Sequence, residues 1–479
     1  MQCLRCSWVL VLAMVAATGC GGDDNTPNDA LDDAGDDGGP DTDVTAEAEA
    51  EVGADADADV PAEADAEADV TAEADAEADA ATDDGGTEAL PTRVAAGTRH
   101  TCVVLDGGAV KCWGSGTNGA LGYGNERDIG VSDTPADHGT VNLGGPAVEV
   151  TAGFGTSCAL LESGNVVCWG ATTALGYGSS EHVGDDEDPA DWGTIDVGGT
   201  VERISAGAFH ICTLLTTGEL KCWGSNGRGQ LGLGNTQAIG DNELPSSIEP
   251  LDLGSRVVDF GTGFDYSCAL LESGDVRCWG FGENGRLGQG DVELIGDDEL
   301  PTDVPPVNVG AGTVTDLTVG AGHACVLFDD GGITCWGIGV WGALGYGSTA
   351  HVGDDEVPAD AGRVDLGGTA TGVWAASHNT CAKLDDGSIK CWGLGDLGAN
   401  GYANTDMLGD DETPATLGPV NVGVELLELT EGDGEHWCGR AAGGLMCWGP
   451  NSWGQLGLGR SGTIGDNETP ADAGFVPLE

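Results

Sequence analysis

Positive charge is almost missing from this chain of 479 residues: 16 Lys and Arg face 81 Asp and Glu, a formal net charge of −65. That balance excludes nucleic acid as a partner, because phosphates are held by Lys and Arg that displace counterions. Cations, basic partners and simple solubility are all compatible with it. Long apolar runs are missing too. The stretch Trp8–Ala17 is too short to cross a bilayer, which needs roughly 20 apolar residues. No nucleophile, base and orienting group stand at a recognisable spacing, which argues against an enzyme. The recurring Gly-x-Leu-Gly-x-Gly lacks the lysine of a phosphate-binding loop, so nucleotide binding is rejected.

What is present begins at the N-terminus. Arg5 followed by the apolar run Trp8–Ala17 has the form of a signal peptide over residues 1–19. Its end, Ala17-Thr18-Gly19-Cys20, resembles the lipobox of bacterial lipoproteins. That resemblance implies cleavage before Cys20 and lipidation of its thiol; Ala17 stands where such proteins usually have Leu. Gly21 after the cysteine implies sorting to the outer membrane or cell surface. Residues 20–90 form the next segment, with 26 Asp or Glu and no Lys or Arg between Asp23 and Leu90. Aromatics are absent there, and alternations such as Ala62-Glu-Ala-Asp-Ala-Glu67 cannot bury enough apolar surface to offset ordering entropy. A disordered acidic tether is expected, extended by self-repulsion.

Residues 91–479 are repetitive. Cysteine pairs recur seven times, as Cys102/Cys112, Cys158/Cys168, Cys212/Cys222, Cys268/Cys278, Cys325/Cys335, Cys381/Cys391 and Cys438/Cys447. A Trp-Gly follows each second cysteine, and the first cysteines lie 54 to 57 positions apart. A fixed period of this size with strand-like content marks a repeat architecture. In the second repeat Val141–Leu143, Val148–Val150, Ser157–Leu161 and Asn165–Trp169 are short segments bounded by turn residues, which predicts four strands. Seven such units predict an all-β, seven-bladed propeller of four-stranded blades.

The last two strands of each unit should form a hairpin with a three-residue loop, because Gly108, Gly164, Gly218, Gly274, Gly331 and Gly387 all occupy the position where φ is positive. With that loop the paired cysteines oppose each other and predict seven disulfides, hence an oxidising compartment. Metal binding is disfavoured, since the repeat cysteines contain no Cys-x-x-Cys knuckle. The seventh pair is one residue closer and needs a different turn, around Gly443-Gly444. The Trp after each second cysteine reads as a core residue between blades. A Val-x-Leu/Val-Gly segment precedes each repeat except the first, and Phe475–Glu479 supplies one at the end of the chain. The C-terminal strand is therefore expected to complete the first blade and close the ring.

Two further patterns bear on chemistry. Acidic loops recur as Asp185-Asp-Glu187, Asp241-Asn-Glu243, Asp297-Asp-Glu299, Asp354-Asp-Glu356, Asp410-Asp-Glu412 and Asp466-Asn-Glu468. They could hold Ca²⁺, the one cofactor the sequence suggests, but a self-capped turn with aspartate on local N–H groups is the simpler reading. His100, His210, His323 and His436 each lie two residues before a first cysteine. They read as structural residues bonded to nearby backbone; a shared metal on the ring axis is the alternative.

The repeats resemble those of the regulator of chromosome condensation family. The third carries the elements best: Gly207-Ala-Phe-His210, Leu214 to Gly218, Trp223-Gly224 and Asn226-Gly-Arg-Gly-Gln-Leu-Gly-Leu-Gly234. The resemblance implies a seven-bladed propeller, but not a function. Members include a nucleotide-exchange factor that binds nucleosomes, and secreted inhibitors of β-lactamase. The function expected here is a lipid-anchored, monomeric binding or scaffold protein of the bacterial envelope. It would engage a protein or glycan through variable loops such as Ile338–Trp341 and Leu394–Asn404. The alternative is a regulator of that family, an exchange factor or enzyme inhibitor.

Overall fold

In a computed structural model the described residues are 90–171, 174–430 and 434–479. Cys20, the signal segment and the acidic tether up to residue 89 lie outside them. The described part is all-β, with helix limited to single turns such as Pro189–Trp192 and Pro470–Ala473. No helix among the described residues is long and apolar enough to cross a membrane.

Seven antiparallel three-stranded sheets follow one another along the chain, each built in chain order. The first comprises β1 (Pro91–Ala96), β2 (His100–Leu105) and β3 (Val110–Gly114). The predicted hairpins form in register. Cys102 lies opposite Cys112 across β2 and β3, and the next five sheets repeat this pairing with the same loop. Gly164 and its counterparts take the positive φ the loop demands, 81° in that case. The seventh sheet keeps the opposition of Cys438 and Cys447 with a shorter turn. There Ala441 pairs with Gly444, so the turn is Ala442-Gly443, one residue earlier than expected.

Every opposed pair is bonded. The disulfides are Cys102–Cys112, Cys158–Cys168, Cys212–Cys222, Cys268–Cys278, Cys325–Cys335, Cys381–Cys391 and Cys438–Cys447, with Cα atoms 4.0–4.1 Å apart. All fourteen cysteines are buried, so no thiol among the described residues is left to ligate a metal. The second cysteine also anchors the turn beyond it. The N–H groups of Cys112, Cys168, Cys335 and Cys391 donate to the hydroxyls of Tyr123, Tyr177, Tyr346 and Tyr402 at 3.1–3.3 Å.

The fourth strand is shorter than predicted. Val141 N–H donates to Val110 at 2.8 Å, and Ile195, Leu251, Val307, Val364 and Val420 repeat that bond on successive sheets. A single such bond replaces a strand, because the segment turns away at once through glycines such as Gly144, with φ of 76°. Asn142 O then accepts Ala190 N–H of the next repeat at 3.1 Å.

The C-terminal segment does not complete the first sheet, as the sequence suggested. Val476 N–H donates to Leu445 of the seventh sheet at 2.8 Å, because each such segment pairs with the free edge of the hairpin it has just left. Its neighbour does reach the first repeat: Pro477 O accepts Ala136 N–H at 3.1 Å.

The tryptophans are the interior of the assembly. Trp113, Trp169, Trp223, Trp279, Trp336, Trp392 and Trp448 are fully buried. Each indole N–H donates to a carbonyl of the preceding repeat, for example Trp169 to Ala120 at 3.0 Å. Trp113, in the first repeat, donates to Gln455 in the last at 2.9 Å.

Several of the scarce cations are spent inside. Lys111, Lys221, Arg277 and Lys390 each reach the carbonyl of a proline in the turn that follows, Pro135, Pro245, Pro301 and Pro414. The Lys390 ammonium gives bonds of 3.0 Å to Leu366 O and 2.8 Å to Pro414 O. Lys390→Met keeps the stem and strands both carbonyls. Hydrogen bonds to a charged group contribute roughly 1.5–3 kcal/mol, so urea unfolding should show a loss of about 2–4 kcal/mol.

Candidate interaction face

The loop between first and second strands and the turn after the third strand lie at the same end of each sheet, since His100 pairs with Gly114. The turn is a tight 3₁₀ segment: Thr117–Gly119, Glu283–Gly285, Val340–Gly342 and Asp396–Gly398. Its closing glycine is required. At Gly398 (φ 71°) an added Cβ would lie 2.3 Å from Asp466 N, and at Gly454 (φ 79°) 2.5 Å from Gly130 C. The turn is thus wedged against the next repeat, and the residue before the glycine is held outward.

That residue varies around the face. It is Asn118, Arg228 and Asn284 in the first, third and fourth repeats, then Trp341, Leu397 and Trp453 in the last three. Asn118 and Asn284 adopt left-handed φ of 55° and 62°, which asparagine tolerates. Trp341 and Leu397 adopt φ of 70° and 56°, where a bulky side chain costs roughly 1–2 kcal/mol. Leu397 is 50% exposed and Trp453 38%. Trp341 stands edge-on to His378 at 4.4 Å, and His378 O accepts Leu394 N–H at 3.1 Å. Arg99 of the first repeat covers Trp453 at 5.2 Å. Both loops singled out in the sequence, Ile338–Trp341 and Leu394–Asn404, therefore meet on one apolar sector.

The other sector was not anticipated. Phe154, Phe209 and Phe264 form a line across the second to fourth repeats, with centroids 5.7 and 5.2 Å apart. Next to it Arg228 and Arg286 flank the Phe281 ring at 4.5 and 4.9 Å. Burial pushes the Asp265 carboxyl up, and these two guanidiniums oppose the shift. The signal was available: each of these phenylalanines stands one or two positions after the glycine that follows a first strand.

The four histidines do not gather on an axis, nor do they bond to nearby backbone. Each spans to the next repeat. Nε2 of His100, His210 and His323 meets the hydroxyls of Ser157, Ser267 and Thr380 at 2.8, 2.7 and 2.8 Å. His436 meets Thr101 of the first repeat at 2.6 Å. Each hydroxyl donates to a carbonyl, that of Ala120, Gln230, Ala343 or Gln455. Its single hydrogen is thus committed, and Nε2–H must be the donor to it. Burial lowers these imidazoles to about 4 for His100 and about 3 for the others, so they stay neutral. The hydroxyls of all four pairs are fully enclosed.

Four acidic loops do bring three carboxylates together, at Asp185–Glu187, Asp297–Glu299, Asp354–Glu356 and Asp410–Glu412, with oxygens within 4.8 Å of one another. In two of them the glycine N–H is capped by the glutamate rather than by an aspartate. Gly409 N–H donates to Glu412 Oε1 at 3.2 Å, and Gly184 N–H to Glu187 Oε1 at 3.4 Å. Burial and the preceding aspartate push Glu299 up to about 7.

The architecture is that of a repeat-built all-β protein whose connecting loops gather at one end of each sheet. Residues 92–120, 147–173, 201–230 and 257–286 match a model of the Regulator of chromosome condensation (RCC1) repeat, and residues 217–270 and 273–327 match a second model of it. The Arabidopsis thaliana ultraviolet-B receptor UVR8 is 31% identical over 260 residues, 53% of this chain and 54% of the receptor. Human E3 ubiquitin-protein ligase HERC2 is 30% identical over 263 residues, 54% of this chain but 5% of the ligase. The chain thus matches about half of one relative and a small part of the other. Yeast RCC1 (Prp20), solved bound to Kap60, superposes with a TM-score of 0.57 over 73% of this chain and 80% of its own, at 18% identity. That likeness shows the fold alone.

Proposed function

We propose that this protein is a non-catalytic binding scaffold, anchored through a lipid on Cys20 to the outer membrane or cell surface and monomeric. The described domain is read as a closed, seven-bladed propeller. Its loop face engages a protein or glycan through Trp341, Leu397 and Trp453. The observation that carries this reading is the pair of bulky apolar residues kept outward at left-handed φ, a conformation maintained at a cost to stability. Closure is supported by four contacts between the ends of the domain: Thr101 with His436, Trp113 with Gln455, Ala136 with Pro477 and Gly130 with Gly454. The seven buried disulfides support an oxidising compartment, and the acidic segment would serve as the spacer to the membrane.

Proximity labelling on intact cells tests the reading. The triple variant Trp341→Ser, Leu397→Ser, Trp453→Ser should lose at least one neighbour that the parent labels, with unchanged thermal unfolding. Cys20→Ser should move the protein from the membrane to the soluble fraction. Identical neighbours in the triple variant would remove the interaction face, and an unchanged membrane fraction would remove the anchor. The RCC1-type match favours one other reading, a regulator that acts on a GTPase or an enzyme. Acceleration of nucleotide release from a small GTPase by the reduced or oxidised domain would support it over the scaffold.

A further inference from the structure

The first strands of all seven sheets line one cavity of about 640 Å³. Each of these strands carries the same irregularity. Between its first and third residues the pairing slips by one, as at Ala147/Glu149 and Val257/Asp259. A bulge of this kind re-aims side chains and is over-represented beside functional sites. The third residue is therefore set apart in every strand, and six of the seven are charged: Arg93, Glu149, Arg203, Asp259, Asp316 and Glu428, with Gly372 the exception. All six line the cavity.

The charges do not balance. Arg203 pairs with Asp259 at 2.5 Å, and Arg440 with Glu428 at 3.2 Å. Glu149 and Asp316, in the second and fifth sheets, form no ion pair among the described residues. Asp316 hydrogen-bonds to Asp259, so the space is faced by Glu149 and, two and three sheets away, by an Asp259–Asp316 pair, with the Arg203 guanidinium acting on all three. The residue before Glu149 and the residue before Glu428 are apolar and also line the cavity, Val148 at 47% and Leu427 at 48% exposure. With Glu202 they form a rim at the end where the chain enters the domain, since Val148, Glu202 and Leu427 are second in their strands as Thr92 is in the first.

We propose that this cavity binds a linear aliphatic polyamine, with ammonium groups on Glu149 and Asp316 and methylenes against the rim. A volume of 640 Å³ is within the usual range for small-ligand sites, roughly 300–1,000 Å³. A ligand with two separated cations answers two separated carboxylates, and an aliphatic chain answers Val148 and Leu427 better than a hydrated metal ion would. The strong negative charge of the protein raises the local concentration of such cations. Binding should also release protons. Burial pushes Glu149 up to about 7 and, with the neighbouring Asp259, Asp316 up to about 6, and a bound cation favours their ionised forms. The other charged groups facing the space are Arg93, Glu202, Arg203, Asp259, Glu428 and Arg440.

Titration calorimetry of the full chain with spermidine at pH 7 and about 0.15 M salt, in two buffers of different ionisation heat, tests this. One saturable event with proton release is expected above a weak background from the acidic segment. Glu149→Gln with Asp316→Asn should weaken that event at least tenfold and leave the background unchanged. The double variant removes carboxylates that stand outside the ion pairs and should unfold no more easily than the parent, so lost binding would not reflect lost structure. An isotherm with background alone, an unchanged isotherm in the double variant, or equal displacement by Mg²⁺ at the same concentration would each overturn the proposal.

Discussion

Reduction of the seven disulfides should remove most of the domain's stability. Each bridge closes a short loop, with its cysteines 10 positions apart in six hairpins and 9 in the seventh. Restricting the unfolded chain in this way is worth up to ~3 kcal/mol per bridge. Even at half that value, seven bridges sum to about 10 kcal/mol, which is comparable to the whole stability of an ordinary domain. The sheets are thin, although one continuous apolar core runs through them. They are three strands wide, the fourth segment adds one hydrogen bond each, and glycine makes up 85 of the 479 residues. The sulphurs are fully buried, so a reductant acts only after local opening. The experiment is urea unfolding followed by tryptophan fluorescence, with and without a phosphine reductant equilibrated in mild denaturant. The reduced midpoint should fall to less than half of the oxidised one, with fourteen thiols open to labelling. The single-bridge variant Cys212→Ser, Cys222→Ser should lose only about 3 kcal/mol or less. Coincident curves for the oxidised and reduced protein would make the bridges incidental, and the case for an oxidising compartment would lose its support.

The hairpins were legible because two independent constraints agreed: a glycine at the third loop position, and cysteines spaced to face each other across that loop. Cys158 and Cys168 illustrate it, with Gly164 setting the loop that brings them opposite. Cys447, one residue nearer its partner than the rest, announced a different turn but not where it would fall. The edge segments were only half legible. Alternation in Val141-Asn-Leu143 announces an extended segment, but not which neighbour it pairs with, and Phe475–Glu479 was assigned to the wrong sheet for that reason. The cavity charges were hidden more deeply. Without the bulge, Glu149 and Val148 are consecutive residues of a strand with no stated direction; with it, Glu149 and its equivalents are set apart. The histidine partners were in plain view yet missed. Where the slot holds His100, His210, His323 or His436, the position one repeat later and one residue on holds Ser157, Ser267, Thr380 or Thr101. Where it holds Thr156, Tyr266 or Asn379, that position holds Ile211, Ala324 or Trp437. The correlation runs across the repeat period, so it is invisible within any one repeat.

Those histidines make acid the second lever on the fold. An imidazole that titrates near 6.5 in the unfolded chain and about 3 when folded leaves the unfolded state holding the extra proton between those values. Stability is then complete above pH 6.5 and falls by about 1.4 kcal/mol per pH unit and per imidazole as pH drops. Glu149 and Asp316 act in the opposite sense. Their folded values are raised to about 7 and about 6, so protonation on acidification adds stability until the unfolded values near 4 are reached. A bare pH profile therefore mixes two signs, and single variants separate them. In His210→Gln the amide can still donate to Ser267, so the variant should lose about 1 kcal/mol at pH 7.5. At pH 4.5 it should be relatively more stable than the parent by an additional 2–3 kcal/mol or so, read by urea unfolding at both pH values. A constant difference between the two would mean that the ring is already charged in the fold. The same measurement on His436→Gln, combined with Thr101→Val in a double-variant cycle, reports on ring closure. These residues are 335 positions apart. An open array would leave their substitutions independent, whereas a ring joined at this point requires them to couple by at least about 0.5 kcal/mol.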